Sequence, residues 1–197
     1  MAEASEAIPA PRRKRADAVR NTEAVLEAAK AAFSETGVDA SMRDIAARAG
    51  VGVGTIYRHY PQRSDLIIAV FQRELDATAA EADRLAAEHA PPTALRLWAQ
   101  ALGRFVATKH GFVGALHSGD PAYNPLPGQF IGVLAPKVQN ILDAGAAAGT
   151  IRHDIHAEDL IHALTRLADS HPGDADDRAG RMTSVLLDGV TVVPSND

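Results

Sequence analysis

The chain has 197 residues and no cysteine. Without a thiol it cannot form disulfides, thiolate-bound zinc sites or iron–sulfur clusters, and it cannot use a cysteine nucleophile. It also lacks a run of about 18 apolar residues that could cross a bilayer. The N-terminal segment MAEASEAIPAPRRKR carries charge without the apolar core of a secretory signal. We therefore expect a cytoplasmic protein with no membrane partner.

The overall composition is that of a folded protein. Hydrophobic residues make up 46% of the chain and charged residues 23%, which argues against a disordered, collagenous or low-complexity protein. The length allows one large domain or two small ones with a substantial buried core.

The net charge of −5 is unevenly distributed. Residues 12–64 carry a net +4, residues 65–197 a net −7 and residues 1–11 a net −2. A basic front joined to an acidic rear suggests that the front meets an anionic partner. Composition alone does not name that partner.

No series of alternating strands and no repeat of 20 to 50 residues is present, and helical periodicity dominates. We therefore predict an all-α fold. The first helix is expected from near Asn21 to Thr36, with Gly37 ending it, and its apolar stripe consists of Val25, Leu26, Ala29 and Phe33. The preceding residues, 1–18, are expected to form a flexible basic arm.

Two short helices joined by a turn follow. Ser41 with Asp44 resembles a capping box that opens a helix buried through Met42, Ile45, Ala46 and Ala49 and ended by Gly50. The pattern resumes at Val53 and stops before Pro61. This spacing is typical of a helix-turn-helix, whose second helix can enter a DNA major groove. Ile56 and Tyr60 should face the core, which leaves an open face with Gly54, Thr55, Arg58 and His59.

The segment VLEAAKAAFSETGVDASMRDIAARAGVGVGTIYRHYPQRSDLI, residues 25–67, resembles the DNA-binding domain of tetracycline-repressor-like (TetR family) transcriptional regulators. The resemblance implies a DNA-binding head, assigned to residues 19–65, and a helical effector-binding and dimerisation domain, assigned to residues 66–197. It also implies release from a palindromic operator by a small molecule. The double-stranded DNA contacts expected from this resemblance and from the basic arm are Arg12, Arg13, Lys14, Arg15, Ser41, Arg43, Val53, Gly54, Thr55, Tyr57, Arg58, His59 and Arg63.

Several of these residues have other interpretations. The four basic residues of the arm could be a solvated run, and Tyr57 could belong to the core. Val53 cannot hydrogen-bond a base edge, so it would contact a thymine methyl group or only pack. Arg63 keeps a phosphate-seeking cation at the start of the fourth helix. Glycines 50, 52 and 54 do not form a nucleotide-binding loop, because no strand precedes them and their spacing differs from both glycine fingerprints.

The second half of the sequence predicts further helices. They are expected from about residue 66 to 89, 93 to 109, 129 to 148, 157 to 170 and 176 to 193, and Pro136 should kink or break the third of these. The resemblance places an effector between the middle helices, and the candidate ligand-binding residues are Trp98, Phe105, His110, Phe112, His117, Phe130 and Leu134. The alternative is that they are ordinary core residues.

Four residues near position 155 have side chains that metals bind, namely His153, Asp154, His156 and Glu158. They precede a helix, so capping explains them at least as well. We predict no metal site, no cofactor and no catalytic residues.

The last two helices, within about 157–193, carry apolar stripes that need partners, and in the resembling family this region forms a four-helix bundle across a two-fold axis. A homodimer through this region is the expectation. Two other functions remain open: a helical-bundle enzyme with a vestigial helix-turn-helix, and a structural protein that binds DNA without an effector.

Overall fold

A computed structural model of the chain describes the backbone of residues 11–109, 118–168 and 178–192. The side chains in these ranges are described from Val19 onward, except those at 108 and 109. Within these ranges the regular structure is eight α-helices and two short 3-10 helices, with no β-strand beyond one isolated bridge between Ile151 and Thr191. The all-α prediction is confirmed.

The chain divides into two compact units, the described residues up to Val70 and those from Phe71 onward. We call them the head and the body. The head contains three whole helices and the start of a fourth: α1 Pro11–Thr36, α2 Met42–Ala49, α3 Val53–His59 and α4 Arg63–Glu88. The division falls inside α4, a few residues after the boundary expected from the sequence.

The first helix begins earlier than the sequence suggested. We predicted a start near Asn21 and a flexible arm before it, but α1 begins at Pro11, so that prediction was wrong from residue 11 onward. Proline is favoured in the first turn, where its missing N–H is not needed. The alanines and basic residues that follow are strong helix formers. Residues 1–10 lie outside the described part of the chain.

The core of the head is largely the one that periodicity predicted, but Ala49 and Tyr60, which were also expected to face it, are half-buried. Side chains from α1, α2 and α3 are buried in this core, among them Val25, Leu26, Ala29, Phe33, Met42, Ile45, Ala46 and Ile56. Gly37 and Gly50 follow α1 and α2 with φ of +73° and +68°. Glycine adopts this left-handed conformation without the steric cost that a Cβ would impose. The predicted ends of both helices are therefore confirmed.

The body consists of the rest of α4 and four further helices: α5 Pro91–Lys109, α6 Leu126–Ala147, α7 Ala157–Ala168 and α8 Arg178–Val190. Pro91 opens α5 at a position that tolerates proline. A 3-10 helix at Pro121–Tyr123 precedes α6. Pro136 lies inside α6, which continues past it.

A close packing contact fixes the turn after α6. A Cβ placed on Gly145 would lie 2.5 Å from Cδ1 of Ile151, so only glycine allows this approach. The backbone N–H groups of Thr150 and Ile151 both donate to the Gly145 carbonyl, at 2.9 and 3.1 Å. The N–H of Arg152 then donates to the Val190 carbonyl at 3.0 Å. The end of α6 is thereby joined to the end of α8.

Candidate nucleic-acid interface and ligand cavity

Backbone hydrogen bonds and one side-chain cap define the turn between α2 and α3. The Ser41 hydroxyl accepts a hydrogen bond from the Arg43 N–H at 3.2 Å and caps α2. The N–H of Val51 donates to the Ala46 carbonyl at 3.0 Å, and that of Thr55 to the Gly52 carbonyl at 2.8 Å. The turn therefore ends α2 and starts α3 within three residues, Gly50 to Gly52, which is the geometry of a helix-turn-helix.

The outer face of α3 is polar and open. Gly54, Arg58 and His59 are exposed, and nothing lies within 4 Å of a Cβ placed on Gly54. Tyr57 is 50% exposed, so its interpretation as a core residue was wrong. Ile56, by contrast, is 1% exposed and anchors the helix.

Two residues with partial burial flank this face. Val53 and Thr55 are half-buried. Thr55 and His59 also border a small cleft of about 110 Å³ against α1, together with Asn21 and Thr22. Thr55 therefore lies on the edge of the open face that is nearer to α1.

Arg58 is folded back along its own helix. Its Nε donates to the Gly54 carbonyl at 3.1 Å, and its Nη2 donates to the Thr55 hydroxyl at 3.2 Å. The guanidinium remains exposed, so it can keep one of these bonds while its other N–H groups reach a ligand.

Arg63 has structural partners that its sequence position did not suggest. Its Nη1 donates to the carbonyl oxygens of Val38 and Ala40, at 2.5 and 2.6 Å. These carbonyls belong to the turn between α1 and α2, and the side chain is half-buried. The structure thus gives the guanidinium a positioning role in the head, which was not foreseen.

An exposed ion pair joins α1 to α2. Arg48 donates to both carboxylate oxygens of Glu35, at 2.9 and 2.7 Å. This hydrogen bonding lowers the pKa of Glu35 and raises that of Arg48. Arg48 is therefore a paired cation, whereas Ser41 and Arg43 are exposed at the start of α2.

Tyr60, which follows α3, has a raised pKa. The cause is mainly burial of its phenol, with a smaller contribution from the charge of Glu23.

The basic run of four residues, Arg12 to Arg15, lies in the first turns of α1. Its side chains are outside the described part of the structure. The expectation that they contact DNA stays a prediction.

The body contains a cavity of about 170 Å³ among α4, α5, α6 and α7. It is lined by Phe71, Phe105, Val106, Leu126, Pro127, Phe130, Ile131, His162 and Thr165. The rings of Phe105 and Phe130 are stacked with their centroids 5.5 Å apart, and Phe71 meets Phe105 edge to face at 5.5 Å. An apolar wall with two polar side chains is typical of a small-molecule site.

The predicted ligand-binding residues divide into three groups. Phe105 and Phe130 line the cavity. Trp98 and Leu134 are not among the lining residues, and both side chains are fully buried in the core. The Trp98 Nε1 donates to the Thr78 carbonyl at 3.1 Å. His110, Phe112 and His117 lie outside the described residues.

Sequence reasoning missed the polar side chains of the cavity. His162 and Thr165 are three residues apart on α7 and hence share a face. The Thr165 hydroxyl donates to the Ile161 carbonyl at 2.7 Å. Polar residues three apart beside the stripe of Leu160, Ile161 and Leu164 were a signal that could have identified them.

The four residues considered for a metal do not converge on one point in the structure. Arg152 donates to both oxygens of Asp154, at 2.9 and 2.6 Å, and chiefly through this bonding lowers the pKa of that carboxyl to about 2. Nowhere in the described part of the chain do three or more histidine and carboxylate side chains converge on one point. The described helices also include none with the length and apolar character to span a bilayer.

Known family models match both the head and the body of the chain. A family model described as bacterial regulatory proteins, tetR family, matches residues 25–70. A second model, described as the transcriptional regulator SbtR-like C-terminal domain, matches residues 90–192, more than half of the chain.

Individual relatives agree with the family models. An HTH-type transcriptional regulator from Staphylococcus aureus is 44% identical over 63 residues, 32% of this chain and 34% of that protein. The chain thus matches about a third of the length of this curated relative. The crystal structure of a TetR transcriptional regulator from Streptomyces coelicolor is 35% identical, with a TM-score of 0.73, and covers 86% of this chain and 97% of its own.

A more distant structure shares the fold alone. The transcriptional regulator FadR from Bacillus subtilis, solved in complex with stearoyl-CoA, is 18% identical with a TM-score of 0.64; 85% of this chain and 96% of that chain are covered. The head's helix-turn-helix, the two family models and the Streptomyces structure agree: this chain belongs to the TetR family of bacterial transcriptional regulators.

Proposed function

We propose that the chain represses transcription by inserting α3 into the major groove of a palindromic operator and that a small molecule releases it. The observation that carries the DNA-binding part is the outer face of α3, where Gly54, Arg58 and His59 are exposed and a large aromatic side chain, Tyr57, is 50% exposed. A helix face with an exposed arginine, histidine and tyrosine offers hydrogen-bond donors to DNA phosphates and to base edges in the major groove.

The residues of this face have distinct roles in the proposal. Arg58 and Thr55 meet base edges, since arginine and threonine both hydrogen-bond bases in the major groove. Gly54 allows close approach of the backbone, and Val53 contacts a thymine methyl group or packs. Tyr57, His59, Ser41, Arg43 and the basic residues Arg12, Arg13, Lys14 and Arg15 contact phosphates or the adjacent minor groove.

A matched pair of charge removals tests the interface. Arg43→Ala removes an exposed cation of the head, and Arg84→Ala removes an exposed cation of the body. A phosphate contact by Arg43 predicts weaker binding to every DNA duplex and a salt slope lower by about 0.9 per subunit. Arg84→Ala should leave both quantities unchanged. Equal effects of the two variants would show that Arg43 contributes only net charge.

The proposed homodimer forms through the region of about 157–193, which includes α7 and α8. Val185 on α8 is 62% exposed and Met182 is 42% exposed. A groove beside them is lined by residues of α5, α7 and α8. Two-fold pairing would bury these side chains and present two copies of α3 to two half-sites. Val185→Asp should convert the dimer to a monomer in analytical ultracentrifugation and weaken operator binding.

The cavity of the body is the proposed effector site. In FadR the same fold accompanies a bound stearoyl-CoA, which supports a ligand in the body of this chain. Ligand binding and operator binding must then weaken each other equally, by about 1–3 kcal/mol in a typical system. Ile131→Trp, which fills the cavity, should keep operator binding and abolish release by any effector.

A further inference from the structure

The cavity of the body has the size of a one-ring molecule. Its volume of about 170 Å³ is close to the roughly 150 Å³ of an apolar protein cavity that holds benzene. A long acyl chain or a polycyclic compound would need the surrounding helices to move apart. The compact volume therefore favours a monocyclic ligand.

The deep wall of the cavity suits an aromatic ring. Phe71 and Phe105 are 5% and 6% exposed, and Val106 and Leu126 are 1% and 2% exposed. The edge-to-face contact of Phe71 with Phe105 and the stacked contact of Phe105 with Phe130 are the arrangements that aromatic rings prefer. A ligand ring can extend this cluster in the same way.

The polar side has a restricted hydrogen-bonding capacity. The Thr165 hydroxyl has one proton, which it donates to the Ile161 carbonyl at 2.7 Å. A carbonyl oxygen can only accept, so that proton is committed and the threonine oxygen can offer a ligand only an acceptor. His162, exposed on the same face of α7, can serve as donor or acceptor. A ligand group beside Thr165 must therefore donate a hydrogen bond.

We propose that this cavity binds small phenols: monocyclic aromatic molecules whose hydroxyl donates to Thr165 and lies within reach of His162. The inference depends on the proposed function in one respect only, namely that the bound phenol is the effector that releases the protein from DNA. Phenol binding to the cavity can be measured without DNA. A carboxylate in place of the hydroxyl has no proton for Thr165, and an unsubstituted ring leaves the threonine oxygen unpaired.

The first test compares three probes of similar size on the intact protein by isothermal titration calorimetry: phenol, toluene and benzoate. Phenol should bind most tightly, with an advantage over toluene of about 2- to 12-fold, the range expected for one hydrogen bond. Benzoate should bind most weakly. No measurable phenol binding, or binding of toluene or benzoate as tight as that of phenol, would overturn the proposal.

Two substitutions of Thr165 test whether its hydroxyl oxygen causes the preference for phenol over toluene. Thr165→Val keeps the side-chain shape without the hydroxyl, so phenol should lose its advantage while toluene binding stays the same. Thr165→Ser keeps the acceptor and should retain the preference. If Thr165→Val binds phenol as well as the wild type does, the threonine is not the acceptor and the assignment fails. Circular dichroism establishes that both variants keep the helical fold.

The failure of this inference is distinguishable from that of the proposed function. If a compound without a hydrogen-bond donor releases the protein from DNA and Ile131→Trp blocks that release, the cavity is the effector site and the phenol assignment is wrong. If phenol binds as described and operator affinity does not change, the cavity assignment stands and effector control by phenols is wrong.

Discussion

The guanidinium of Arg58 donates a hydrogen bond to the hydroxyl oxygen of Thr55, one turn earlier on α3, at 3.2 Å. Because the threonine oxygen accepts from Arg58, its own proton is available for a base or a phosphate. In the proposed complex with DNA, the two side chains would therefore act together at the edge of the open face.

We expect Thr55→Val and Arg58→Ala to relax base preference at the same positions of the operator. Each should lower the ratio of operator to scrambled-DNA affinity by about 1–3 kcal/mol, the range for a good base contact. Since the two side chains are bonded to each other, the double variant should lose less than the two single losses added together. Additive losses at different base pairs would show that they act independently.

Arg63→Ala should destabilise the head. The substitution leaves the carbonyls of Val38 and Ala40 without the guanidinium in a half-buried setting, which should cost about 1–3 kcal/mol of unfolding free energy. Urea unfolding of the intact protein measures this cost, and Arg43→Ala, an exposed change, should stay within about 0.5 kcal/mol. Unchanged stability with a shallower salt slope would instead assign Arg63 to a DNA phosphate.

The basic run at the start of α1 should contribute charge rather than sequence preference. Replacing Arg12, Arg13, Lys14 and Arg15 by alanine keeps the helix propensity of α1. The salt slope of DNA binding should then fall by roughly 1 to 3 per arm that engages the duplex. Affinity measured against salt concentration on operator and scrambled DNA checks this, and an unaltered slope would make the run a solvated surface.

Gly145→Ala should destabilise the body, because the new methyl group would lie 2.5 to 2.8 Å from side-chain carbons of Ile151. Overpacking of this kind typically costs about 1–3 kcal/mol. Gly132→Ala on the same helix has nothing within 4 Å of the added carbon and should stabilise the protein by up to about 1 kcal/mol. Equal melting temperatures of the two variants would contradict the close contact.

The head was largely predictable from sequence, because glycines mark the ends of its first two helices. Gly37 and Gly50 mark helix ends through their left-handed backbone, and Ile45 and Ile56 mark the buried faces of α2 and α3, respectively. The start of α1 was missed because prolines and a run of four like charges suggested a mobile arm, whereas the helix propensity of the arginines, the lysine and the alanines continues the helix to Pro11.

The cavity was only partly predictable. Helical spacing identifies apolar faces, but it does not tell whether a side chain fills the space between helices or borders a gap there. Trp98 and Phe105 lie on the same helix, yet one is enclosed with its N–H on the Thr78 carbonyl and the other borders the cavity. Likewise, the partners of Arg63 lie 25 and 23 residues earlier in the chain, beyond the reach of a local pattern.

Selection of binding sites from random duplex DNA by the intact protein tests the central claim most directly. A two-fold dimer that presents two copies of α3 should enrich an inverted repeat whose half-sites lie about 34–36 Å apart or at a related spacing. The same selection with Thr55→Val should return the repeat with weaker preference within each half-site. A wild-type selection that enriches no palindrome would contradict operator recognition by a dimer through α3.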